Sequence, residues 1–146
     1  VVAVGSARDA VVESEIVITT TPSREAIVRA EWLRPGTHVT AVGSDGPDKR
    51  ELESAVLVRA DKVVADRLDQ CLRLGEIHHA VAEGVFRADQ VYAELGALAA
   101  SLRPGRTSED EITVADLTGV GVQDAAVADF VAAAATAAGA GETLAL

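Results

Sequence analysis

"VTAVGSDGPDKREL", residues 39–52, changes character half-way along. Val39, Thr40, Ala41 and Val42 suit a strand, whereas Gly43, Ser44, Asp45, Gly46 and Pro47 carry neither a strand nor a helix easily. The spacing predicts a strand over 37–42 that stops on a small polar loop with one carboxylate, Asp45, at its centre. Working outward, the pattern recurs. Residues 16–20 are a β-branched run with few charges, as expected of a strand covered on both faces, and they run into the loop "TPSRE". Residues 62–65 and 112–117 read as two further strands. Between the strands lie helical patterns: 6–13 with Ser6 as N-cap, 51–59, 66–82, 91–102 and the alanine-rich 122–138, after which the tail is expected to fray. Residues 1–4 form a short apolar run that reads as one more strand, and "RPG" at 34–36 reads as a turn. Alternating strands and helices predict an α/β fold around a parallel sheet.

Composition bounds the function. A chain of 146 residues suits one domain, and 49% hydrophobic with only 3% aromatic residues makes the core Val, Ala, Leu and Ile. A net charge of −10 argues against nucleic acid or an anionic membrane as the main partner. The single cysteine, Cys71, allows no disulfide framework and points to a reducing, cytoplasmic setting. No stretch approaches the roughly 20 apolar residues of a membrane span, and no signal-peptide pattern is read. The chain begins with Val1 and opens in mid-fold, which gives the expectation of a piece of a longer polypeptide or its ordered part.

In open parallel sheets ligands sit beyond the carboxyl ends of the strands. Two loops have that position and a small polar composition: "TTTPSRE" after 16–20 and "GSDGPDKRE" after 37–42. Each residue in them also has a plain reading. Asp45 can make an Asx-turn before Pro47, Thr19–Thr21 can be ordinary strand residues, and Lys49 and Arg50 can be a solvated helix start. Glu76, His78 and His79 raise the thought of a metal, but adjacent histidines diverge on a helix and no further ligands cluster with them, so no metal is expected. Cys71 reads as a small packed residue and Glu94 as a surface helix residue. "GVG" at 119–121 lacks the spacing of a dinucleotide fingerprint.

Taken together, "EIVITTTPSREAIV", "EWLRPGTHVTAVGSDGPDKRELE", "VVADRLDQCLRLGEI" and "YAELGALAASLRPGRTSEDEITVADLTGVGVQDAAVA" resemble, in order and spacing, the ornithine cyclodeaminase and mu-crystallin family. The resemblance runs from about residue 1 to 135, and 35–52 and 104–124 are its most specific parts. It implies the second half of a Rossmann-type, NAD- or NADP-binding parallel-sheet domain over 1–121, and a C-terminal helix and tail over 122–146 that return to a dimerisation domain. The phosphate loop, the residue that separates NAD from NADP and the basic residues for a substrate carboxylate would lie upstream of Val1, so an isolated 146-residue product is expected to be inactive.

The family's matching motif puts the catalytic carboxylate at Asp45. Val42, Gly43 and Ser44 would line the nicotinamide side, with Lys49 nearby and Thr21 as a cofactor contact. Leu117 stands where the family often has a cofactor-touching serine, which leaves only a main-chain contact there, and Thr118 matches a neighbour that faces substrate. The implied chemistry is hydride transfer at the α-carbon of an amino or imino acid, with Asp45 carrying a proton to and from nitrogen. Burial beside an apolar ring is expected to raise its pKa. The family includes ornithine cyclodeaminases, archaeal-type alanine dehydrogenases and imino-acid reductases. "ADRLDQCLRLGEIHHAV" is similar to the ectoine-utilisation cyclodeaminase-like proteins. A non-catalytic, mu-crystallin-like ligand-binding protein and a truncated inactive remnant are the alternatives of another class. A retained carboxylate at 45 favours an enzyme. A small-molecule substrate and a homodimer are the implied partners.

Overall fold

Five short strands line up in one direction. The computed structural model describes residues 1–142. The strands are β1 (Ile16–Thr19), β2 (His38–Ala41), β3 (Lys62–Ala65), β4 (Ala93–Glu94) and β5 (Thr113–Asp116). They pair wholly in parallel in the order β1-β2-β5-β3-β4, so the last strand in sequence lies at the centre. The register puts Thr19, Ala41, Asp116, Ala65 and Glu94 in one row across the sheet. That row is the carboxyl edge of every strand.

The period-2 alternation of the strands decides which side chains enter the core. Val17, Val39, Val63 and Val114 point inward and are buried with Val11 of α1 (Ala7–Val12), Val56 and Leu57 of α2 (Ser54–Arg59), Cys71 of α3 (Leu68–Cys71) and Ile77 and Ala80 of α4 (Gly75–Ala82). Each fully buried aliphatic side chain of this kind contributes about 1.5–3 kcal/mol. The opposite side chains of β1, Ile16 and Ile18, are 65% and 64% exposed, so the expectation of a strand covered on both faces is met on one face only. α5 (Leu95–Ala99) and α6 (Gly121–Ala138) bury no residue in this core. No helix among the described residues is long and apolar enough to cross a membrane.

The expected elements are present with four corrections. The run 66–82 is two helices, not one. Gly75 sits at φ +74 where α4 begins, and a Cβ there would lie 2.7 Å from both Asp116 carboxylate oxygens, so the chain turns on the one residue that fits. The run 91–102 is the edge strand β4 followed by α5, because the Tyr92 N–H donates to Val63 O at 2.8 Å and draws the segment onto the sheet. The helix expected from 51 starts at Ser54, because the backbone at Glu51 and Leu52 is held extended by other partners. Residues 1–4 pair with no strand among the described residues, and Val1, Val2 and Val4 are exposed. Ser6 does cap α1, accepting from the Asp9 N–H at 3.1 Å. α6 closes on Gly139 in the left-handed region, and the remainder of the expected frayed tail, 143–146, lies outside the described residues.

Candidate functional site at the carboxyl edge of the sheet

The two loops singled out in the sequence leave adjacent strands at the same edge. Val42 N–H donates to Thr19 O at 2.9 Å and Arg50 N–H to Ser23 O at 2.9 Å, which lays the β2 loop along the β1 loop. Between them stands Glu51, fully buried. Its Oε2 accepts from Thr19 Oγ1 at 2.6 Å and from the Gly43 N–H at 2.8 Å. Its Oε1 accepts from the Thr21 N–H at 2.5 Å and from Thr21 Oγ1 at 2.8 Å. Gly43 is required by this approach, since a Cβ there would lie 2.5 Å from Glu51 Oε1 and would run into Thr21 O.

Asp45 projects from the tip of the β2 loop with 59% of its side chain exposed, and Lys49 Nζ donates to its Oδ1 at 2.5 Å. The Lys49 hydrogen bond, and then its charge, hold the Asp45 carboxyl below the usual range. The expected upward shift rests on burial against the nicotinamide ring; in this exposed loop a cation four residues on favours the charged form. The other expected residues divide into two groups. Val42 is exposed, while Thr21, Gly43 and Leu117 are half-buried on adjacent strand exits, with the Leu117 N–H donating to Ala41 O at 2.9 Å. Ser44 and Thr118 are buried, and their hydroxyls are committed inward. Ser44 Oγ donates to Lys49 O at 2.5 Å. Thr118 Oγ1 donates to Asp66 Oδ1 at 3.2 Å and accepts from Gln70 Nε2 at 2.9 Å. The structure thus brings Thr21, Val42, Gly43 and Asp45 to one open edge, with Lys49 alongside, and keeps the Ser44 and Thr118 hydroxyls beneath it.

Beneath that edge lies a layer of buried carboxylates that sequence reasoning missed. Glu76 accepts from the Glu51 N–H at 2.8 Å and the Leu52 N–H at 3.0 Å. Burial pushes its pKa up to about 7, and the charges of Asp116 and Glu51 add to the rise. Asp116 Oδ2 accepts from the Ile77 N–H at 2.9 Å, while Oδ1 has no partner among the described residues. Burial raises Asp116 to about 7 as well, with Asp66 adding. Asp66 Oδ2 gathers the N–H groups of Thr118 and Gly119, each at 2.9 Å. One signal of this layer was readable: β3 runs into "VAD" at 64–66 and β5 ends on "VAD" at 114–116, an acid closing two neighbouring apolar strands.

The remaining candidates take structural places. Cys71 is buried with its thiol on Asp66, and burial pushes its pKa up. His79 Nε2 donates to Lys49 O at 2.7 Å, supporting the β2 loop, while His78 Nδ1 lies 3.3 Å from Leu72 O. No group of three His, Cys, Asp or Glu side chains among the described residues could hold a metal ion. Glu94 is at the end of β4 rather than on a helix, where its Oε1 accepts the Leu68 N–H that opens α3. A concavity of about 1160 Å³ lies over the uncovered sheet face and reaches this edge at Leu117 and Leu95.

Comparison with known proteins places the fold in a family. Over 117 residues the chain is 47% identical to an alanine dehydrogenase of Archaeoglobus fulgidus, covering 80% of this chain and 36% of that protein. The structure superposes on an archaeal alanine dehydrogenase dimer with bound NAD at a TM-score of 0.86 and 42% identity, over 99% of this chain and 44% of the other. It matches Thermococcus litoralis Δ1-pyrroline-2-carboxylate reductase, solved with NADH and L-proline, at a TM-score of 0.88 and 34% identity, over 97% and 44% of the two chains. The chain therefore spans less than half the length of these relatives. The model of the ornithine cyclodeaminase/mu-crystallin family matches residues 1–139, and the chain belongs to that family.

Proposed function

We propose that this chain is the second half of a nicotinamide-binding, Rossmann-type domain of an enzyme that moves hydride to or from the α-carbon of a small amino or imino acid. The observation that carries the reading is the meeting of Thr21 and residues 42–45 at one open edge of a parallel sheet, with the exposed carboxylate of Asp45 at the loop tip. The edge fits a nicotinamide nucleotide: the strand exits carry small side chains, Val42 offers an exposed apolar surface, and Gly43 keeps the backbone low. NAD or NADP, when bound, supplies and receives the hydride.

The chain's own residues handle the proton and the geometry. Asp45 is ionised near neutral pH, with Lys49 holding its carboxyl further below the usual range, so Asp45 can take a proton from substrate nitrogen as an imine forms and return it in the reductive direction. An ionised Asp45 also stabilises a cationic iminium beside it. Leu117 brings no side-chain hydroxyl, so any polar contact at that position comes from the main chain. The C-terminal helix α6, with Val122, Val127, Phe130 and Val131 exposed along it, suits packing against further parts of the polypeptide that build a homodimer. The cyclodeaminase, dehydrogenase and imino-acid reductase reactions all use this half-site in the same way.

The test is Asp45→Asn in the polypeptide extended to the length of its relatives. Turnover with proline, alanine, ornithine and cyclic imino acids is expected to fall by about 10²–10⁴-fold, while NADH binding stays within about threefold, since Asn keeps the size and a hydrogen-bonding group. Unchanged turnover would remove Asp45 from the mechanism.

A further inference from the structure

We infer that Glu51 is a positioning residue: one buried carboxylate ties the β1 exit to the β2 exit and so sets the separation of the two loops that hold the nicotinamide nucleotide. The inference rests on the reading of Thr21 and residues 42–45 as a cofactor site. A carboxylate is acceptor-only and offers about four lone-pair positions. Glu51 has four donors: Thr19 Oγ1 and the Thr21 N–H and Oγ1 from the β1 side, and the Gly43 N–H from the β2 side. Every position is filled, the side chain is fully buried, and no cation among the described residues pairs with it, so these four donors carry its charge.

Glu51 is itself fixed in place. Its N–H donates to Glu76 Oε1 at 2.8 Å, and its carbonyl accepts from the Ile27 and Val28 N–H groups at 2.8 and 3.0 Å. The clamp is therefore referenced to the core and not to a mobile loop tip. It also decides what Thr21 shows outward. The Thr21 hydroxyl donates to Glu51 and accepts from the Ser23 N–H at 3.3 Å, so its proton is not offered to a nucleotide. A glutamine at 51 would keep the shape but supply one accepting oxygen and an NH₂ facing N–H and O–H donors, so two of the four donors would lose their partner.

The experiment uses the polypeptide extended to the length of its relatives, titrated with NADH and NADPH by fluorescence and assayed for KM and kcat. Glu51→Gln is expected to raise the nucleotide Kd about tenfold or more. Thr19→Val removes one donor on a buried strand residue with no assigned cofactor contact, and is expected to raise Kd about threefold, with Thr19→Ser restoring it. The Glu51→Gln/Thr19→Val double variant should show less than the summed loss, because the two share one contact. Val56→Ala, a cavity in the core away from the loops, lowers the melting temperature and should leave Kd within about twofold. A Glu51→Gln protein whose Kd moves no more than that of Val56→Ala overturns the inference. If Glu51→Gln does not fold, an unchanged Kd in Thr19→Val overturns it instead. Absence of any NADH or NADPH binding by the unaltered protein has a different signature and would bring down the cofactor reading itself.

Discussion

The loop tip at 45 and the layer beneath it hold carboxylates under opposite conditions. Asp45 stands in solvent beside a cation and is held below its ordinary pKa. Asp116 and Glu76 lie in the interior, hydrogen-bonded to backbone N–H groups, and both are raised to about 7. The difference teaches that acid residues here do two jobs. The outer one stands in solvent, where the proposed function has it meet a substrate, and the inner ones replace missing backbone partners at element ends. A helix start at Ile77 and an extended crossing at 51–52 would otherwise leave buried N–H groups unpaired.

The largest expected effect is the Asp45→Asn loss of turnover given above, which breaks the comparison if it fails, since the outer carboxylate would then be as structural as the inner ones. Next in size, Glu76→Gln should destabilise the protein by about 1–3 kcal/mol, because one of two buried N–H groups loses its acceptor. A lower urea midpoint with an unchanged slope would confirm it, and no shift would show that the inner layer is dispensable.

Third is a pH effect on stability. Asp116 and Glu76 have folded pKa values above their unfolded ones, so the folded state binds protons more tightly. Their contribution is full below about pH 4 and is lost as pH rises through about 7, with a slope of up to about 1.4 kcal/mol per pH unit for each proton. His38, whose pKa is lowered chiefly by burial, works in the other direction. The measurement is therefore a difference: between pH 5.5 and 8, Asp116→Asn should lose less stability than the unaltered protein. Equal losses would show that Asp116 does not bind a proton in that range. The smallest effect is expected from Lys49→Met. The exposed pair is worth at most about 1 kcal/mol, so folding should be unmoved. The acid limb of the kcat/KM profile should rise in pH as Asp45 returns towards its usual value, and an unmoved limb would show that Lys49 does not tune it.

Strands β1, β2, β3 and β5 were legible from the sequence because their apolar runs are short and bounded by polar loops, and the Asp45 loop was legible because Gly43 to Pro47 admit little else. What was hidden depended on contacts between distant segments. The break at Gly75 is set by the Asp116 side chain, far away in sequence. Glu51 looked like the first acid of a helix, since a local reading has no means of knowing that Thr19, Thr21 and Gly43 converge on it. β4 was lost inside an amphipathic pattern because a two-residue strand is shorter than any periodicity. Ser44 and Thr118 matched a family motif in type, but whether a hydroxyl faces outward is decided by its partner, here Lys49 O and Asp66.

The position of β5 has a consequence for how the molecule comes into being. Among the described strands the central one comes last in sequence, so β2 and β3 gain the neighbour they share only through it. Without residues 113–116, the described strands form two separate pairs, β1 with β2 and β3 with β4, and β2 and β3 each keep an unpaired edge. Joining the two pairs through β5 is therefore a long-range event, of the kind that slows folding.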